Sequence, residues 1–205
     1  MKRLMIAVTL FAATAAQGAL MGAAPAPVMV RGTVVSLSGP TLVVTTRAGT
    51  RQTLTLAPNT SVSATSVIGI GAIKPNSFIG TAAEAGKDGK LTALEVHVFP
   101  EAMRGLGEGH RPWDISRTSS MTNGNVRTVG KVKHGKGARE LLVDYQGGQQ
   151  TVVVPARVPI VSFAAATLAD VKPGTHIFAV AQAGEGGAVA TNRLVVGANG
   201  STPPM

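Results

Sequence analysis

Hydrophobic and polar positions alternate along most of the chain in short runs bounded by glycine, proline, asparagine or aspartate, which is the period of half-buried strands. Val30 to Leu37 predicts a first strand, Thr41 to Arg47 a second, and Thr50 to Leu56 a third with Leu54 and Leu56 on one face; Ala48-Gly49 makes the tight turn between the last two. The less regular Ser61 to Ala72 has room for a short helical turn and a strand. Ile73-Lys74-Pro75-Asn76 reads as a β-turn, because proline presets φ and asparagine accepts a positive one. Phe78 to Ala85 and Leu91 to Phe99 close the series through Gly86-Lys87-Asp88-Gly89, whose Asp-Gly pair signals a hairpin. In the last of these strands Leu94, Val96 and Val98 are placed inward, which turns Glu95 and His97 to solvent.

The plan then recurs. A shift of 98 residues superposes 28–99 on 126–197 without a gap, so that Gly32 meets Gly130, Gly39 meets Gly137, Gln52-Thr53 meets Gln150-Thr151 and Lys74-Pro75 meets Lys172-Pro173. The second copy predicts strands at Val129 to His134, Glu140 to Tyr145, Gln150 to Val154, Ile177 to Ala183 and Val189 to Val196, with an irregular stretch at Pro159 to Asp170 and a turn at Val171-Lys172-Pro173-Gly174. The expected fold is therefore all-β: two tandem small five- or six-stranded OB-like β-barrels, 25–99 and 126–197, joined by a long ordered linker, 100–125, and followed by a tail, 198–205. Closing each sheet removes exposed edges. A unit of about 70 residues buries only about 60% of its unfolded surface, so the copies are expected to pack together.

Composition fills in this picture. Aromatic residues are only 3% of the chain, so the cores must be built from Val, Ile, Leu and Ala, while 25 glycines and 12 prolines supply the turns. Residues 1–24 read as a Sec-type signal peptide, with Lys2 and Arg3 ahead of an apolar run from Leu4 to Ala16 and small residues after it. That run is too short for a hydrocarbon core of about 30 Å, and nothing later approaches the required length of about 20 apolar residues. A soluble periplasmic or secreted protein is expected. The lack of cysteine excludes a lipid-anchored lipoprotein, a disulfide framework and a thiolate metal site. With 19 basic and 10 acidic residues the net charge is +9, which outside the cytoplasm suits anionic polysaccharide, lipid head groups or an acidic envelope protein. Nucleic acid is not expected, because stacking platforms are scarce.

The linker concentrates the candidate chemistry. It holds the only tryptophan, Trp113, with Arg104, Arg111 and Asp114 as further binding candidates. Thioether and imidazole ligands select Cu(I), and Met103, His110 and Met121, with His97 at the margin, provide both; zinc is the other ion considered. No two histidines stand at a ligand spacing, and the chain is expected to need no cofactor. The plainer reading makes Trp113 and Met103 anchors of the linker, with His110 and Arg111 bonded to Glu101, Glu108 or Asp114. For catalysis, Ser119 and Ser120 lack a nucleophile-elbow context, and Gly105-x-Gly107-x-Gly109 lacks the strand-to-helix setting of a phosphate loop.

The repeated Gly-x-Val, strand pair, Lys-Pro turn and closing strand, together with the segment LEVHVFPEAMRGLGEGHRPWD, resemble an exported bacterial domain of unknown function found in two-copy form in proteobacteria. The resemblance covers nearly all of the chain after residue 24 and implies no catalytic residues. Some similar sequences carry a metal-transporter permease label; with no spanning helices expected in this chain a permease is not expected, and an exported accessory protein is the form that label leaves room for. The expected function is a non-enzymatic binding or scaffolding protein of the cell envelope, the alternative a periplasmic transition-metal-binding accessory protein.

Overall fold

The computed structural model describes residues 27–86, 88–132, 136–184 and 189–204. The signal-peptide reading, Lys87 and His134 lie outside these residues. Twelve strands follow in chain order: β1 (Val28–Ser38), β2 (Thr41–Thr46), β3 (Arg51–Val67), β4 (Phe78–Ala85), β5 (Leu91–Val98), β6 (Gly109–Pro112), β7 (Ser119–Lys131), β8 (Arg139–Tyr145), β9 (Gly148–Val154), β10 (Ile160–Ala166), β11 (His176–Ala183) and β12 (Val189–Gly197). One-turn 3-10 helices stand at Ile70–Ala72, Glu101–Met103, Leu168–Asp170 and Ala198–Gly200. Both Lys-Pro turns form as expected, with Asn76 and Gly174 at positive φ and Ser77 and Thr175 donating to the carbonyls of Lys74 and Lys172. Among the described residues no helix is long and apolar enough to cross a membrane.

The strands close into two five-membered rings, but neither ring comes from one repeat. β1, β2 and β3 form an antiparallel meander; β3 then pairs in parallel with β12, β12 with β11, and β11 returns to β1. The second ring runs β7, β8, β9, then in parallel to β5, through β4 and back to β7. Each barrel thus takes three strands from one repeat and a hairpin from the other. This departs from the tandem arrangement expected from sequence, in which each copy closes on itself. The exchange is made possible by the length of β3, which leaves the first barrel and pairs antiparallel with β10, Thr65 opposite Phe163, on the way to the second.

A second correction concerns register. Gly32 lies opposite Thr46, and the residue in its place in the second copy is Gly124, next to Asn125 opposite Asp144. The β-bulges agree, falling between Val34 and Ser36 and between Val126 and Thr128. The first strands are therefore offset by 92 residues, not 98. A longer connection between β7 and β8 in the second copy accounts for the slip, and the match of Gly32 with Gly130 is coincidental. The 98-residue offset does hold for the exchanged hairpins, where Ile79 opposite Val98 becomes Ile177 opposite Val196. It follows that Ser119 to Asn125, assigned to the linker from sequence, belongs to the second barrel.

Each barrel has its own interior, filled by alternating aliphatic residues. In the first, Val34, Leu42, Val44, Leu54, Leu194 and Val196 pack together; in the second, Val126, Leu141, Val143, Val152, Val96 and Ile79 do. Phe163, Phe178 and Val195 form a third buried cluster with Met29, Phe99, Met103 and Trp113 against it. It lies outside both barrels, where their walls meet under the connector.

Candidate functional site

The connector is positioned by one strand pairing and two polar clamps. β6 pairs antiparallel with β7, with Arg111 opposite Met121 and His110 opposite Thr122, and so covers a stretch of β7 edge. The turn of this hairpin is held by Ser119, whose Oγ donates to the Trp113 carbonyl at 2.9 Å while Trp113 N donates to Ser119 O at 2.9 Å. Its tip reaches the other barrel. Arg31 of β1 donates from Nη1 and Nη2 to both carboxylate oxygens of Asp114, at 2.7 Å each, and its guanidinium lies 5.2 Å from the centre of the Phe178 ring. Those hydrogen bonds hold the Asp114 carboxyl below the usual carboxylate range, with burial opposing. At the near end Arg104 bonds both oxygens of Glu101, the Asn76 carbonyl and Asn125 Oδ1.

Between these clamps the connector roofs a half-enclosed cavity of about 130 Å³. Its floor is the third cluster: Phe163 from β10, Phe178 from β11 and Val195 from β12, with Phe99 stacked on Phe163 at 5.0 Å. Its roof is Met103, Leu106, Arg111 and Trp113, and Met121 and Asn123 of β7 complete the wall. Trp113 packs on Phe178 with ring centres 6.5 Å apart, and Arg111 lies 5.7 Å over the indole. Arg111 Nη1 donates to the Gly107 carbonyl at 2.9 Å. Burial pulls the Arg111 guanidinium below its usual value, and no carboxylate contributes. Trp113 Nε1 and Asn123 Oδ1 are buried without a hydrogen-bond partner, although the Asn123 amide Nδ2 donates to Leu106 O at 3.0 Å.

The structure brings together some of the residues expected to share a site and separates others. Met103, Met121 and His97 line this cavity; His110 does not. Neighbouring residues of a strand face opposite ways, so with Arg111 at the cavity His110 points outward. There it accepts or donates one bond with Thr122 Oγ1 at 2.8 Å and stacks on Tyr145. The expected bonds of His110 and Arg111 to Glu101, Glu108 and Asp114 do not form: Glu101 holds Arg104, Asp114 holds Arg31, and Glu108 accepts from Gln146 N. Arg111 is half-buried. Among the described residues no group of three His, Asp or Glu could hold a metal ion.

Glu95 and His97, expected in solvent, are 5% and 2% exposed. A bulge at Leu94 rephases β5, so that Ala93 and Val96 face the barrel interior. His97 does point away from that interior, but into the junction, edge-on to Phe163 at 5.7 Å. Since a carbonyl can only accept, His97 Nε2 carries the hydrogen in its 3.0 Å bond to Pro204 O. Glu95 Oε1 lies 3.4 Å from the same nitrogen without a hydrogen bond of its own. Phe163, Phe178, Val195, Arg193 and Asn123 were missed from sequence as site residues. Their signal is in the repeat: at the 98-residue offset Val195 and Arg193 stand where the first copy has His97 and Glu95. The chain matches no protein-family model, no curated protein and no solved structure.

Proposed function

We propose that the protein is an exported, non-enzymatic binding protein of the cell envelope, built on two OB-like Greek-key barrels, with the roofed cavity between them as its binding site. The carrying observation is that cavity: an apolar recess at the meeting of two barrels, walled by four of the chain's few aromatic residues, with an indole N–H left without an acceptor. Ligand sites favour such junctions, where apolar walls give affinity and a few polar groups give orientation. The strand order, a meander followed by a hairpin whose last strand runs parallel to the third, supports the OB-like reading. The leader-like first 24 residues support export, and the charge of +9 favours anionic partners. The test titrates benzyl alcohol, a neutral single-ring probe, against Trp113 emission. Saturable change is expected, and Val180→Phe, which narrows the cavity at a half-exposed wall position, should weaken it. A Trp113 signal indifferent to the probe in a folded protein would sink the reading.

A second reading has one observation of its own. His97, Met103 and Met121 line the same cavity, and with Nε2 donating to Pro204 the imidazole keeps Nδ1 as its lone-pair nitrogen. Two thioethers and an imidazole suit Cu(I). Under anaerobic titration Cu(I) would quench Trp113, and the double variant Met103→Leu, Met121→Leu would abolish the quenching while His110→Ala would not. Quenching that survives loss of both thioethers would exclude this site.

A further inference from the structure

We infer that the cavity between the barrels takes a small aromatic carboxylate, with its ring among Phe163, Phe178 and Val195 and its carboxylate at Arg111 and the Trp113 indole N–H. The inference rests on the proposed binding role of this cavity and adds the class of ligand.

Three observations converge on it. The first is electrostatic. A half-buried guanidinium is costly unless something offsets its lost hydration, and most buried cations are paired with an acid. Among the described residues Arg111 has only the Gly107 carbonyl and the face of Trp113, and burial alone accounts for the lowering of its affinity for the proton. Arg193, from the facing strand, lines the same cavity, and among the described residues no carboxylate pairs with it either. Elsewhere the chain does match charges: Arg31, Arg104 and Arg127 each hold a carboxylate. Arg51 and Arg157, which among the described residues also hold no carboxylate, are exposed and keep their hydration, whereas Arg111 is half-buried under the roof of the cavity.

The second is the hydrogen-bond inventory. Trp113 Nε1 can only donate, and it is buried without an acceptor, which costs the molecule the desolvation of that group. Arg111 bonds through Nη1 and has further N–H groups to offer. One guanidinium and one indole N–H match the two oxygens of a carboxylate. Inorganic phosphate, with more oxygens and more charge, would be left poorly satisfied against walls this apolar.

The third is size and shape. Apolar protein cavities of about 150 Å³ take up benzene. This one measures about 130 Å³ and is half-enclosed, so a single ring fits. Phe163, Phe178 and Trp113 offer faces and edges to that ring. An acetate would leave the floor empty, and a long acyl chain would exceed the space.

The experiment titrates the purified protein with benzoate, benzyl alcohol and acetate, following Trp113 emission and melting temperature. Benzoate is expected to bind saturably and at least about tenfold more tightly than the other two, the ordinary gain from charge-assisted bonds in a sheltered site. Arg111→Gln should bring benzoate down to the level of benzyl alcohol measured on the same variant, abolishing the preference for the anion. Arg193→Gln, at an exposed position, should lower benzoate affinity without affecting the fold if Arg111→Gln proves unstable. Equal affinity for benzoate and benzyl alcohol would overturn the anionic assignment while leaving the cavity as a binding site. Equal affinity for benzoate and acetate would overturn the assignment of the ring. Failure of all three probes to bind would overturn this inference and the proposed function together.

Discussion

Asp114 grips Arg31 across the two barrels through both carboxylate oxygens, yet its side chain remains 42% exposed. The Arg31 hydrogen bonds lower its proton affinity, so the folded state binds that proton less readily than the unfolded chain does. Stability from this pair is therefore present above the ordinary carboxylate value near 3.9 and is lost as pH falls through the lower folded value. Because the pair is partly solvated, Asp114→Asn should cost less than about 1 kcal/mol. Trp113, the adjacent residue, is the reporter: its emission should hold steady through the ordinary carboxylate range and shift to the red only as pH falls through the lower folded value, ahead of global unfolding, and Asp114→Asn should show the shifted emission at neutral pH. Emission unchanged by the substitution would mean that the connector is held elsewhere. The pairing itself was not readable from the sequence, which places Arg31 and Asp114 83 residues apart. His97 was half readable: the strand alternation rightly turned it away from the barrel interior, but nothing local announces that another strand and the C-terminal Pro204 cover that side.

The individual strands were the most legible feature, because alternation and turn residues are local signals. Fourth and fifth strands, both Lys-Pro turns and the second copies of each fall within a residue or two of their expected places. What local pattern could not reveal was which glycine matters. Gly32 and Gly124 are needed because the neighbouring strand passes so close that any Cβ would collide with a backbone carbonyl, that of Thr45 or of Asp144. Gly130 has ordinary contacts. Backbone cannot rotate out of the way as a side chain can, so Gly32→Ala and Gly124→Ala should each destabilise by at least about 2 kcal/mol, and Gly130→Ala by much less. Melting curves of the three variants decide it. If Gly130→Ala proves the most damaging, the 98-residue register of the first strands is correct after all.

At the scale of the molecule, the strand exchange determines where the cavity lies. Because β11 and β12 cross to the first barrel and β4 and β5 to the second, β12, β3, β10 and β5 run side by side and make one wall spanning both. Scarce aromatic residues gather around the cavity over that wall: Phe163 on β10, Phe99 just after β5, Phe178 on β11 and Trp113 in the connector. The recurring strand plan was legible in the sequence, but a strand pairs equally well with either hairpin, so closure was not. Exchange of identical elements is a familiar route between paired domains, and here it occurs within one chain. A chain without cysteine allows a direct test. Thr33 and His176 lie opposite each other, with Oγ1 and Nδ1 3.0 Å apart, whereas a self-closing first repeat would place Phe78 opposite Thr33. The double variant Thr33→Cys, His176→Cys should form a disulfide within a single chain on mild oxidation, seen as a loss of two free thiols in a monomer. Two thiols that stay free in the folded monomer, or that link only between separate chains, would contradict the exchanged barrels and the cavity they enclose.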